Sequence, residues 1–183
     1  MNIFNAFGLL NMINEGQDEY LEKYKQYVLT HKKNVKKFAD WLKTECPEVF
    51  EDVDLGHFND IINEHDESKF SEEEFEPYAR FWYNDKDHYD YDPEYEAAWE
   101  HHWMTNEHHP EYWLGEDMPL IYILEMLCDW GSFSIAKNDF RELSKYYYEE
   151  AKDDDEKNLS DATKEIIEEI LTKINSVLDK EEG

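Results

Sequence analysis

Imidazoles and carboxylates that can bind divalent metal ions recur along this chain in the order His31, His65-Asp66, His101-His102, His108-His109 and Asp129. Imidazole is the commonest biological metal ligand and carboxylate suits the harder divalent ions, so the mixture fits Mn, Fe, Mg, Co or Zn. One or two ions per chain can be served by such a set, and the order reads as that of a metalloenzyme.

Each residue also has a plainer reading. A histidine on an apolar helix face is usually a hydrogen-bonded core residue, and Asp129 by itself could pair with Arg80, Arg141 or a lysine. Coincidence carries the metal reading: His31, His65-Asp66 and Asp129 each interrupt an inward-facing apolar stripe, and a buried carboxylate without a cation costs several kcal/mol. One ion would satisfy all of them. If the helix carrying His101 and His102 continues to His109, a seven-residue step points His101 with His108 and His102 with His109, the members of each pair about 10 Å apart along the axis. Spacing does not choose between the members of each doublet; His102 and His109 are taken as the candidate ligands, and the plainer alternatives are a solvated histidine-rich face or a surface site that picks up metal adventitiously. Glu125, one turn before Asp129, could orient a ligand or accept a proton from attacking water.

Basic residues flank these positions: Lys32, Lys33, Lys36 and Lys37 beside His31, Lys69 three residues after Asp66, and Lys137, Arg141 and Lys145 beyond Asp129. Such a rim could focus a phosphate toward the metal. Pairing with neighbouring acids is the simpler account of the outer members, and Lys69 is the candidate for substrate contact.

The elements that would position these groups are helices. Tyr20, Tyr24, Val28, His31, Val35, Phe38 and Leu42 recur at steps of three or four and predict a helix from about Asp18 to Thr44. Leu55, Phe58, Ile61 or Ile62, and His65 repeat the spacing. Ser71 and Glu74 form a capping box before a short helix interrupted by Pro77. Asn84 to Asp92 reads as a polar loop, and Asp92-Pro93 opens a helix to about Glu107, stopped by Pro110. MPLIYILEMLCDW, started by Asp117 and Pro119, is apolar nearly all round and should be the central buried helix. A helix marked by Phe140, Leu143 and Tyr147 follows, then a last one capped by Ser160 and carrying Ile166 to Leu178. Strand signals are nearly absent, which predicts an all-α fold of six to eight helices in one compact domain spanning 1–183, with the metal-site core at about 18–150 and a final helix at about 160–180.

With 18 Lys plus Arg against 46 Asp plus Glu, the net charge is -28. That surface repels a phosphate backbone and argues against nucleic-acid binding, whereas 40% hydrophobic and 16% aromatic content supplies enough apolar surface to fold the chain. No apolar run approaches the roughly 20 residues that span a bilayer. The opening residues lack a signal peptide's basic flank and cleavage site, so a cytoplasmic location is expected. Cys46 and Cys128 lack CxxC spacing, and no disulfide is expected.

The ordered set His31, His65-Asp66, Asp129 resembles the HD superfamily of metal-dependent phosphohydrolases, which carries a His, an adjacent His-Asp pair and a distant Asp on an all-helical scaffold. The resemblance covers about residues 20–150 and implies that these four residues hold one divalent ion. HDESK resembles the HDxxK form, in which the lysine, here Lys69, reaches substrate phosphate or metal-bound water. Two-metal branches add histidines where this chain has His101, His102, His108 and His109. The strings HDESKF, AWEHH, NEHHPEYW and EMLCDW look closer still to an uncharacterised family of small bacterial and phage proteins, and the Gly-Tyr-Pro signature of the cyclic-dinucleotide phosphodiesterases is missing.

The function this implies is hydrolysis of a nucleotide or another small anionic phosphoester through metal-activated water. Two alternatives stand beside it: an HD-type di-iron oxygenase, and a non-enzymatic acidic interaction module or nucleic-acid mimic.

Overall fold

A computed structural model describes residues 3–83 and 92–181 of the protein. Among these residues there are seven α-helices and no strand, as the apolar periodicity predicts: α1 (Ile3–Glu45), α2 (Leu55–Glu64), α3 (Phe75–Tyr83), α4 (Pro93–Thr105), α5 (Leu120–Lys137), α6 (Glu142–Tyr146) and α7 (Asp161–Glu181). No helix among the described residues is long and apolar enough to cross a membrane. The polar loop expected from Asn84 lies outside the described residues, apart from Asp92.

Contacts group the chain into two compact units, Met1–Thr30 with Glu67–His102, and His31–Asp66 with Trp103–Gly183. The first unit packs an aromatic core in which Tyr20, Tyr24 and Val28 of α1 meet Tyr78 and Ala79 of α3 and Ala98 of α4. In the second, Val35, Phe38 and Leu42 of α1 join Phe58 and Ile62 of α2, Ile123, Leu124 and Leu127 of α5, Leu143 of α6, and Ile167, Leu171 and Ile174 of α7. Burial of these side chains, each contributing roughly 1.5–3 kcal/mol, is what holds the site-bearing segments in place.

Caps decide several boundaries. Asp54 accepts from the N–H groups of Gly56 and His57 and starts α2. Asp92 accepts from Glu94 and Tyr95 and starts α4, and Ser160 accepts from Thr163 to start α7. Asn138, left-handed at φ 54°, closes α5.

Some local expectations need correction. Helix α1 begins at Ile3 rather than near Asp18; residues 3–17 contain no proline, and a glycine such as Gly8 or Gly16 costs a helix only about 1 kcal/mol. Pro77 does not interrupt α3, because it falls in the first turn, where its missing N–H is not needed. The Ser71–Glu74 capping box does not form either: Ser71 Oγ has no hydrogen-bond partner, and the Glu74 carboxylate is drawn to two histidines. Helix α4 stops at Thr105 and His109 is extended (φ -82°, ψ 127°), as the following Pro110 requires, so a seven-residue helical step does not relate His101 to His108 or His102 to His109.

Candidate metal centre

Three segments of the second unit converge on one cluster. His31 occupies the inward stripe of α1 between the buried Val28 and Val35. His65 terminates α2, and Asp66 follows with φ 59°, a left-handed backbone that turns the chain sharply after the helix. Among non-glycine residues Asp and Asn tolerate that conformation best, and an outlier of this kind in a cluster of chemistry-bearing groups is a mark of function. Helix α5 supplies Glu125, Asp129 and Ser132, spaced so that all share one face.

Close approach of α5 to α1 depends on Gly131. A Cβ there would lie 2.6 Å from the ring of the fully buried Phe38. The bare backbone at Gly131 lets the two helices meet beside Asp129.

In the cluster, His31 Nε2 lies 3.1 Å from Asp66 Oδ2 and 3.0 Å from Asp129 Oδ1. His65 Nε2 lies 3.5 and 3.7 Å from the same two oxygens. Ligands bound about 2.1 Å from one ion sit about 3.0 Å apart in an octahedron and about 3.4 Å apart in a tetrahedron, so these separations fit a shared cation. His65 Nε2 is buried, faces both carboxylates and makes no hydrogen bond, an arrangement that is costly unless the nitrogen binds something.

The opposite nitrogens are anchored. His65 Nδ1 lies 2.9 Å from Glu125 Oε1, and His31 Nδ1 lies 3.2 Å from Ser132 Oγ. Such bonds fix the tautomer and ring angle of metal-binding histidines. The donor set, two imidazoles and two carboxylates with their outer nitrogens held, therefore fits a divalent ion. The buried His, Asp and Glu groups of this unit could hold a metal.

Charge follows the same geometry. Burial opposes protonation of His31, yet Asp129 and Asp66 raise its pKa; in the same way Asp66, Asp129 and Glu125 overcome burial and raise His65 from 6.5 to about 10. Burial would raise Asp129, but the two imidazoles hold its carboxyl well below its ordinary value. Without an ion, protons on His31 and His65 partly offset the three acids Asp66, Asp129 and Glu125.

His108 also belongs to this cluster. It follows the end of α4, is buried, and puts Nδ1 3.3 Å from Glu125 Oε1 and Nε2 3.8 Å from Asp66 Oδ1. Its ring centre is 4.4 Å from that of His65. Glu125, lowered in pKa against its burial by His108 and His65, thus serves two imidazoles from one oxygen. His109 stacks on His108 with centroids 4.3 Å apart and has Nδ1 3.7 Å from Glu111 Oε2.

In the first unit, Glu74 is fully buried and bridges two histidines, 2.7 Å from His101 Nδ1 and 2.8 Å from His102 Nδ1. Ser68 Oγ lies 3.1 Å from His102 Nδ1. Lys69 is half-buried on the turn Glu67–Phe70 directly after Asp66, and its charge works against the burial and Glu96 that raise the Tyr95 pKa. The basic rim beyond Asp129 is tied up: Lys137 and Lys145 pair with Glu142, and Arg141 pairs with Asp179.

Sequence reasoning did not single out Ser132, read Glu74 only as part of a helix cap, and named His108 within its doublet while taking His109 as the candidate ligand. A serine three residues after Asp129 in an apolar helix is a usable signal, and Pro110 warns that the helix ends before His108. Glu74 in a cap pattern carries no signal of its own.

The chain matches no curated protein and no solved structure. The site residues from His31 to Asp129 all fall within residues 21–173, which match the model of a family of unknown function, DUF5662, and the chain belongs to that family.

Proposed function

We propose that the protein is a metal-dependent phosphohydrolase acting on a nucleotide or another small phosphoester. The observation that carries this reading is the set of separations, 3.0 to 3.7 Å, from the Nε2 atoms of His31 and His65 to the carboxylate oxygens of Asp66 and Asp129. These four residues would hold the ion, in the order that the HD resemblance implies. The mixed nitrogen and oxygen donors favour Mn, Fe, Co or Zn, with Mg less suited to imidazole. When bound, a divalent ion supplies Lewis acidity toward a phosphoryl oxygen and lowers the pKa of water.

The chain's own groups do the rest. Ser132 and Glu125 keep the Nδ1 atoms of His31 and His65 occupied, so that both imidazoles offer Nε2. Glu125 is buried and engaged by two imidazoles, which supports an orienting role over proton acceptance. Asp129 is the most exposed of the four ligands, its side chain 18% accessible against 6% or less for the others, so substrate reaches the cluster beside it. Lys69 is the cation proposed to neutralise substrate phosphate.

A second ion is favoured by His108, whose Nε2 lies 3.8 Å from Asp66 Oδ1, whereas His31 lies beside Oδ2. That same imidazole supports the rival reading of a di-iron oxygenase. Elemental analysis of protein purified without chelator or affinity-tag metal gives the ion and its number. Protein loaded with Mn, Co or Mg is then assayed by product chromatography on nucleoside monophosphates, deoxynucleoside triphosphates and cyclic dinucleotides. Turnover that chelator abolishes is expected; loaded protein that cleaves no phosphoester sinks the proposal, and tightly bound iron with an oxygen-dependent spectrum favours the rival.

A further inference from the structure

We propose that Phe133 is a specificity-determining residue that receives the planar ring of a nucleobase-bearing phosphoester; this rests on the reading of the metal cluster as a phosphoester site. Between Ile123 and Ser134, α5 is buried at every position except two. One is Asp129, the ligand through which solvent reaches the cluster. The other is Phe133, four residues on and 54% exposed. Positions four apart share a helix face, so the break in burial along this helix is a strip made of a candidate metal ligand and a bare aromatic ring.

The ring is tied to the site as well as near it. Its centroid lies 6.3 Å from that of His31, with the planes tilted by 40°. A molecule that presents phosphate oxygens to the cluster enters beside Asp129, and the part of it lying further along α5 meets Phe133. Phenylalanine offers no hydrogen bond, only a face and an edge for apolar contact and stacking. A base, whose π face stacks on aromatic side chains whatever its identity, matches that surface; a bare sugar phosphate does not.

The test uses full-length, Mn-loaded protein and two probes that differ only by the base, deoxyadenosine monophosphate and 2-deoxyribose 5-phosphate. Binding of each is measured by calorimetry and turnover by phosphate release. Phe133→Ala should weaken binding of the nucleotide by about 5- to 150-fold, the span of base stacking on an aromatic side chain, and change the sugar phosphate less than twofold. Phe133→Trp should restore nucleotide binding, with Mn content unchanged in both variants. Equal weakening of the two probes, no weakening of either, or wild-type protein that binds neither overturns the inference. Phe133-dependent binding without turnover keeps it and removes hydrolysis; turnover indifferent to Phe133 keeps hydrolysis and removes it.

Discussion

The Nδ1 atom of His65 sits 2.9 Å from Glu125 Oε1, and both residues are buried. That bond turns the opposite face of the imidazole toward Asp66 and Asp129. Because the same carboxylate oxygen lies 3.3 Å from His108 Nδ1, one side chain of α5 sets the orientation of two rings.

Glu125→Ala should therefore lower metal affinity by about 10- to 100-fold, the usual cost of losing an outer partner of a ligating histidine. Glu125→Gln, which keeps an acceptor oxygen, should lose less. Metal titration by calorimetry, run beside the activity assay, separates the two roles considered for this residue. A variant that binds metal normally and has lost turnover would make Glu125 the proton acceptor instead.

Asp66 combines a strained backbone with a candidate ligand oxygen, and substitutions can pull the two apart. Asp66→Gly relieves the positive φ of 59°, but in chelator-treated protein it also removes a buried partner of protonated His31 and His65, so Tm there should fall below that of wild type. It should also forfeit the stabilisation that ion binding confers, about 2.7 kcal/mol at a hundredfold excess over Kd. Asp66→Asn tolerates the same backbone and isolates the loss of charge. Melting with and without Mn reads both effects, and Mn stabilisation undiminished in Asp66→Gly would remove Asp66 from the ligand set.

Stability of the metal-free protein should depend on pH with a definite sign. His65 is raised from 6.5 to about 10 on folding, so the stability it contributes is complete below pH 6.5 and lost as the pH climbs through about 10. Raised His31 acts in the same direction. Asp129 is lowered, so its contribution is present above its ordinary 3.8 and lost as the pH falls through its depressed value. In EDTA, Tm should be highest between about pH 4 and 6.5 and decline on the alkaline side. Added Mn should offset the alkaline decline, because it binds the deprotonated imidazoles. A flat Tm from pH 6.5 to 10 in EDTA would contradict this account.

Gly131→Ala drives a methyl group into the Phe38 ring, with atoms that would be 2.6 Å apart. Overpacking of this kind costs about 1–3 kcal/mol, so Tm should fall by several degrees and metal affinity with it, since Asp129 lies two residues away. Phe38→Leu in the same chain should recover part of the metal affinity by making room. If Gly131→Ala melts like wild type, the helix approach is not set by this contact.

Composition and apolar periodicity determined the helical class, the near-complete burial of α5, and the candidates His31, His65-Asp66 and Asp129, because a polar group breaking an apolar stripe is visible in one dimension. Several caps were equally legible: Asp92 and Ser160 accept the bonds their positions promise. What the chain order could not convey was which nitrogen of each imidazole faces inward. Tertiary packing alone decided that, by bringing Glu125 and Ser132 of α5 behind rings carried by other segments. It also diverted Glu74 from a helix cap to His101 and His102, brought His108 rather than His109 beside Asp66, and tied the basic residues beyond Asp129, Lys137, Lys145 and Arg141, to Glu142 and Asp179. The physical reason is common to all of these. A buried charge or imidazole takes whichever complementary group the packed core brings within about 3 Å, and residues far apart in sequence become neighbours only when helices such as α1 and α5 close on each other at a position like Gly131.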